Sequence, residues 1–319
     1  MYGEIMAILT NVSFAISFVL ARRIQNDATP IFQTTIRSII GFFTFLIISL
    51  SLGIFLQTFS LSILIVLFLI MSILFTVIIG DTVYLQSQKM LGPAKALAIS
   101  TTTPLFTLLF STFFLNRPFT LLMVFSIILI GIGVIIITKG KNNINSKHDF
   151  SNSDSFTDSN QEDLKRNRIS KSIKGTLLAV TTAISWAIGI SLTDYSINQV
   201  DQVLSLGILS TMIAMMIRFL FASLSLSIIA FIESRKTPIP KKKNTWSILI
   251  ISALLSYSIG SVFFGEAVHT AGAIFMSIIS TALPLFTIPF SYLINKESIS
   301  KTEFIGIIVT FIGVLIILF

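Results

Sequence analysis

The segment AISTTTPLFTLLFS at 98–111 returns as IISTALPLFTIPFS at 278–291. From Ile99/Ile279 to Ser111/Ser291, nine of thirteen positions are identical with no gap. Apolar helices converge on loose similarity, but not on an ungapped match through STxxPLFT, so the chain contains a duplication. The same offset pairs Gly80 with Gly260, Gly92 with Gly272 and Gly133 with Gly313. With small loop adjustments, Ile36-Arg37 falls on Ile217-Arg218. Likewise Thr10, Ser13, Phe14 and Ser17 fall on Thr182, Ser185, Trp186 and Gly189.

Each copy is too apolar for water. Of 319 residues, 54% are hydrophobic and 11% charged, and the mean hydropathy is +0.91. A water-soluble surface needs about a quarter charged residues, so lipid must be part of this chain's solvent. Apolar runs of roughly 17–25 residues are long enough to cross a bilayer as helices. That criterion gives ten spans, at about 3–21, 31–51, 61–82, 96–115, 119–138, 175–193, 204–232, 246–266, 273–294 and 302–319. The stretch from Lys139 to Lys174 is polar, rich in Ser, Asn and Asp, and reads as a flexible linker. The expected organisation is a five-helix repeat over 1–138, a linker over 139–174 and a second five-helix repeat over 175–319. The first span lacks a basic leader and has too long an apolar stretch for a cleavable signal peptide.

Orientation follows from Lys and Arg in the loops. Setting aside Arg37 and Arg218 inside spans leaves 20 of the 22 basic residues. With an extracytoplasmic N-terminus, 19 of these face the cytoplasm, and only Arg117 lies opposite. Both termini are therefore expected outside, the 139–174 linker in the cytoplasm, and the chain in the cell membrane. Five spans per copy is odd, so the second copy enters the membrane upside down. Inverted copies related by an in-plane pseudo-two-fold axis are a recurring basis of secondary transport, although some channels share it. The fold class expected is all-α integral membrane: ten transmembrane helices as two inverted five-helix repeats.

Ten spans in two halves, each with a fourth span reading STxxPLFT, resemble the drug/metabolite transporter superfamily, EamA type. The family's arginine in its second helix matches Arg37 and Arg218, and its proline in the fourth matches Pro104 and Pro284. Its acidic residue ending the fourth helix of each half is matched by Glu297, whereas Arg117 stands there in the first half. The resemblance implies a basket-like bundle with a central cavity, lined mainly by spans 1, 3 and 4 and their mates 6, 8 and 9.

Ionisable side chains well inside the spans are Arg37, Asp81, Arg218 and Glu266. Each costs roughly 2.5–3.5 kcal/mol at mid-membrane on insertion scales, so each should face protein or water. Asp81 follows Gly80, and Tyr84 and Gln88 share its helical face. It reads as a site for a substrate amine or a proton; the alternative is an interfacial acid balancing Lys89 or Lys95. Glu266, whose repeat mate is Gln86, lies near the outer end, and a carboxylate on each half suits proton-coupled exchange. Arg37 and Arg218 read as ties between helices through carbonyl groups, with anion binding as the second reading. The prolines Pro104 and Pro284 interrupt both copies, and matched interruptions point toward a binding region. Thr101 and Thr281, three residues earlier, are therefore site candidates. Asn11 in the first span is another. Trp186 in mid-span is either a cavity wall stacking on an aromatic or cationic substrate, or packed core.

The sequence carries no HExxH, no GxSxG and no GxxxxGK[ST] motif, and no cysteine. No catalytic residue, metal ligand or cofactor is expected, and nucleic acid is not an expected partner. The expected function is a secondary transporter, an exporter or exchanger of small polar or amphipathic metabolites working by alternating access. A proton is the candidate coupling ion, and a monomer suffices. The competing readings are a passive channel and an intramembrane enzyme.

Overall fold

A computed structural model describes residues 1–24, 26–91, 96, 99–100, 102–116, 119–149, 158–234, 239–296 and 301–318. Among these, all regular structure is helical. The first half of the chain carries α1 (Tyr2–Arg23), α2 (Pro30–Ser51), α3 (Ile63–Ile73), α4 (Thr82–Leu91), α5 (Thr103–Leu115) and α6 (Leu121–Asp149). The second carries α7 (Asp158–Leu204), α8 (Ile208–Ser234), α9 (Lys243–Ala253), α10 (Ser261–Thr281), α11 (Leu283–Asn295) and α12 (Lys301–Leu318). Six helical stretches are long and apolar enough to cross a membrane. Two of them run through π turns: Leu74–Asp81 joins α3 to α4, and Leu254–Gly260 joins α9 to α10.

Local chemistry sets the helix ends. Thr29 accepts a hydrogen bond from Phe32 N at 3.2 Å, and Pro30 opens α2, where its missing N–H costs nothing. Ser62 caps α3 in the same way through Ile65 N. Acidic Glu4 lies in the first turn of α1 and Arg22 and Arg23 in its last, both favourable to the helix dipole.

The spacing of the sequence repeat recurs in the backbone. The two π turns begin at Leu74 and Leu254. α5 and α11 begin at Thr103 and Leu283, and both end in left-handed caps, Asn116 at φ 50° and Lys296 at φ 56°. The two caps donate their N–H groups to Ser111 and Ser291. Packing crosses between the halves. α1 lies on α10, α11 and the second π turn, while α7 lies on α3, α4 and the first; α2 pairs with α8 and α6 with α12. The α6–α12 contact is close because it is made at glycines. A Cβ on Gly133 would stand 2.7 Å from Thr310 N, and one on Gly313 would stand 2.7 Å from Ile130 Cγ1.

Several element boundaries differ from the sequence reading. α7 does not stop near 193 but continues to Leu204, and α6 and α7 both extend into the polar stretch 139–174. The expected span 273–294 is broken after Thr281, where α10 ends before α11 restarts at Leu283, whereas the bend of α10 at Gly272, where φ is 87°, falls between the expected spans 246–266 and 273–294. Pro104 and Pro284 do not break a helix from inside. They occupy the second residue of α5 and α11, where a backbone N–H has no partner within the helix anyway.

Candidate functional site

The first π turn ends at Asp81, and single π turns within α-helices are frequent at functional sites. Both carboxylate oxygens are engaged by donors from the second half of the chain. Trp186 Nε1 donates to Oδ1 at 3.0 Å, and the Tyr257 hydroxyl donates to Oδ2 at 2.9 Å. The same indole N–H also points at the Thr76 carbonyl, 3.1 Å away. Such an approach needs a residue without a side chain, because a Cβ on Gly80 would lie 2.6 Å from Trp186 Nε1. The Tyr84 ring packs on Trp186 with centroids 5.0 Å apart, and the Tyr84 hydroxyl is hydrogen-bonded to Gln88.

Behind Tyr257 stands Arg37, its guanidinium carbon 4.6 Å from the ring centroid. Arg37 Nη2 donates to Ser17 Oγ at 3.1 Å and to Ser256 Oγ at 2.7 Å, and its charge acts on Asp81 across the tyrosine. Arg37, Tyr257, Ser17 and Ser256 are buried. Asp81 and Trp186 are not fully buried; each retains some exposed surface. The result is a partly open carboxylate walled by Trp186, Tyr84 and Tyr257, and held by two uncharged donors. Aromatic faces around a carboxylate suit a positively charged group.

The matching place in the other half is built from different residues. Arg218 Nη2 donates to Thr76 Oγ1 at 3.2 Å, mirroring Arg37 on Ser256. Phe14 takes the place of Trp186, and a Cβ on Gly260 would lie 2.8 Å from its ring. Ser261, the repeat mate of Asp81, donates to the Ser256 carbonyl at 3.2 Å. Only the first half's π turn therefore presents an acid.

Of the residues singled out in the sequence, the structure brings together Asp81, Tyr84, Gln88, Trp186 and Arg37. Sequence reasoning missed Tyr257, Thr76 and Ser256, which reach this cluster through packing between the halves. Glu266 lies apart from this cluster, accepting a buried bond from Thr211 Oγ1 at 2.5 Å and a part-buried one from the Tyr2 hydroxyl at 3.3 Å. Asn11 Nδ2 donates to the Ile279 carbonyl at 2.7 Å, tying α1 to the last turn of α10. Thr281 bonds back to Ile278 O at 2.6 Å within its own helix. Thr101 lies outside the described residues, as do Lys95, Arg117 and Glu297. Asp194, also missed, is fully buried and accepts from Asn198 Nδ2 at 2.7 Å. It also faces Ala273 N at 3.4 Å, just beyond the Gly272 bend. Its position one residue past the expected span end hid it. Among the described residues, no group of three or more His, Asp or Glu side chains is arranged to hold a metal ion.

The EamA-like transporter family matches residues 1–139 and 173–319. No curated protein matches the sequence significantly. A solved structure described only as "Crystal structure of protein" superposes with a TM-score of 0.70 at 15% identity, covering 99% of this chain and 95% of that one. At that identity the likeness speaks for the fold alone. The family match spans nearly the whole chain, and the long apolar helices fit it: this protein is a multi-pass membrane protein belonging to the EamA-like transporter family.

Proposed function

We propose that this chain is a secondary transporter in which Asp81 receives a cationic group of the substrate, or a proton, by alternating access. The reading includes ten transmembrane helices as two inverted five-helix repeats, 1–138 and 175–319, with a cytoplasmic 139–174 and both termini outside the cell membrane. Backbone features recurring at the spacing of the sequence repeat support the duplication. So does the crossing of α1 and α7 onto opposite halves. The transported molecule is a small polar or amphipathic metabolite, exported or exchanged, and one chain suffices.

One observation carries this reading: Asp81, from the first half, is held by Trp186 and Tyr257, both from the second. A cation or proton arriving at Asp81 competes with those two bonds, so occupancy alters a contact between the halves. That is the differential interaction a ligand needs in order to shift a conformational equilibrium.

The test is thermal stabilisation of the purified protein by a panel of amines, amino acids, nucleosides, sugars and cationic drugs. A ligand at about 100 times its dissociation constant adds roughly 2.7 kcal/mol. A stabilising amine whose effect vanishes in Asp81→Asn supports the reading. Stabilisation unchanged in Asp81→Asn returns the acid to a structural role. Flux that never saturates with substrate favours a passive channel instead.

A further inference from the structure

Building on the transport reading and its orientation, we propose that Gly3 and Gly175 form the two seals of the cycle. Gly3 closes the outer face against Thr270 and Ala271, and Gly175 closes the inner face against Met90 and Leu91. Repeat symmetry singles these contacts out. The α2–α8 and α6–α12 interfaces each join a helix to its own repeat mate, so exchanging the halves returns the same interface. The contact of α1 with α10 is different, because that exchange turns it into the contact of α7 with α4. Such a pair can be made at one face while it is broken at the other, and alternation requires that inequality.

In this structure both members are made, and at matching residues. A Cβ on Gly3 would lie 2.5 Å from Thr270 Oγ1 and 2.8 Å from Ala271 Cβ. A Cβ on Gly175 would lie 2.7 Å from Leu91 Cγ and 3.0 Å from Met90 Cβ. Gly3 falls on Gly175 at the spacing that lays Thr10 on Thr182. Thr270-Ala271 falls on Met90-Leu91 at the spacing of the duplicated STxxPLFT segment. Hydrogen bonds accompany both contacts: the Tyr2 hydroxyl to the Glu266 carboxylate at 3.3 Å, and the Ser87 hydroxyl to the Gly175 carbonyl at 3.0 Å. Directly after Ala271 the helix bends at Gly272, where φ is 87°, so the outer contact has a pivot beside it. A seal differs from ordinary tight packing in one respect: opening it at one face favours closure at the other.

The chain has no cysteine, so single cysteines can be placed without other changes. Thr10 and Thr182 are fully buried, two helical turns deeper than Gly3 and Gly175 on the same helix faces. Full-length protein carrying Thr10→Cys or Thr182→Cys would be labelled with a membrane-impermeant maleimide, from the outer face in cells and from the inner face in inside-out vesicles. Gly3→Leu and Gly175→Leu serve as wedges in the outer and inner contacts. The expected result is that Gly3→Leu speeds outer labelling of Thr10→Cys about tenfold and slows inner labelling of Thr182→Cys, and that Gly175→Leu does the reverse. A wedge that exposes its own face and leaves the opposite face unchanged marks local packing and overturns the seals, while Asp81 as a ligand site stands on its own stabilisation test. A wedge that leaves its own face unreactive overturns them too. Labelling that rises at both faces together marks a channel and overturns alternation itself. If a leucine variant does not fold, Gly3→Ala or Gly175→Ala, a smaller wedge at the same contact, is judged by the same reciprocal change.

Discussion

Arg37 donates to the hydroxyl of Ser256 at 2.7 Å, from the second helix of one half into the π turn of the other. The reverse bond runs from Arg218 to Thr76 at 3.2 Å, and Thr76 is the repeat mate of Ser256. Each half thus holds the other's helix at the place where its hydrogen-bond register changes. Both acceptors also bond back along their own helices, Ser256 to Ser252 O and Thr76 to Ser72 O, each at 2.8 Å. Both arginines therefore reach hydroxyls of the other half, where the sequence reading expected carbonyls.

Ser256→Ala should lower stability by about 1.5–3 kcal/mol, the usual range for a hydrogen bond to a charged group. Because Arg37 and Ser256 touch, a double-mutant cycle between Arg37→Gln and Ser256→Ala should show coupling of at least about 0.5 kcal/mol. Strict additivity in denaturant unfolding would mean that the tie contributes nothing to the fold.

Close approach at the π turns makes a second prediction. A methyl on Gly80 would meet Trp186, and one on Gly260 would meet Phe14. Overpacking of this kind typically costs about 1–3 kcal/mol. Gly80→Ala should destabilise the parent, and part of the loss should return when Trp186→Leu removes the indole, the rest staying with the Phe75 carbonyl 2.7 Å from the added Cβ. Gly260→Ala should respond to Phe14→Ala in the same way. A rescue that fails at both positions would place the strain in the backbone rather than in the aromatic contacts.

Asp27, in the connection between α1 and α2, accepts from Lys242 Nζ at 2.8 Å and from Thr245 Oγ1 at 3.0 Å, which links that connection to the start of α9. Lys242, then Thr245, hold the Asp27 carboxyl below its ordinary value of 3.8. A carboxyl depressed in the folded state stabilises that state above its unfolded value, and the contribution disappears as pH falls through the lowered one. The melting temperature of the parent should therefore drop relative to Asp27→Asn as pH falls below about 4. Salt should narrow the gap at neutral pH, because Lys242 is largely exposed and the pair is screened. A constant difference between parent and variant across this range would remove Asp27 from the account.

How much of this was legible depends on the distance over which the information is carried. The duplicated STxxPLFT segment, the arginine pair and Asp81 with Tyr84 and Gln88 on one face follow from local spacing. The π turns do not, because a hydrophobic pattern of period 3.6 gives no sign of one extra residue in a turn. Tyr257 and Thr76 were invisible for another reason: both act on residues more than a hundred positions away, through the crossing of the halves. Asp194 could have been found. Extending the sixth span by one residue brings in an acid whose burial demands a partner, and the bend at Gly272 provides a backbone N–H for it.

Glu266 gives the last prediction, since its stability role and any role in proton movement respond to different substitutions. The carboxylate is 4% exposed and accepts a short bond from the buried Thr211, but a longer one from Tyr2, which is 49% exposed. Glu266→Ala leaves the Thr211 hydroxyl without its acceptor, at a cost of about 1–3 kcal/mol for a buried polar group. Tyr2→Phe loses a contact that water can replace and should cost about 0.5 kcal/mol or less. Glu266→Gln keeps the shape and one carbonyl acceptor, so it should fold with stability close to the parent. If Glu266 carries a proton in the transport cycle, Glu266→Gln should nevertheless abolish the pH dependence of substrate flux in proteoliposomes. A Gln variant that is stable and keeps the parental pH profile confines Glu266 to packing against Thr211, leaving Asp81 as the acid to examine for coupling.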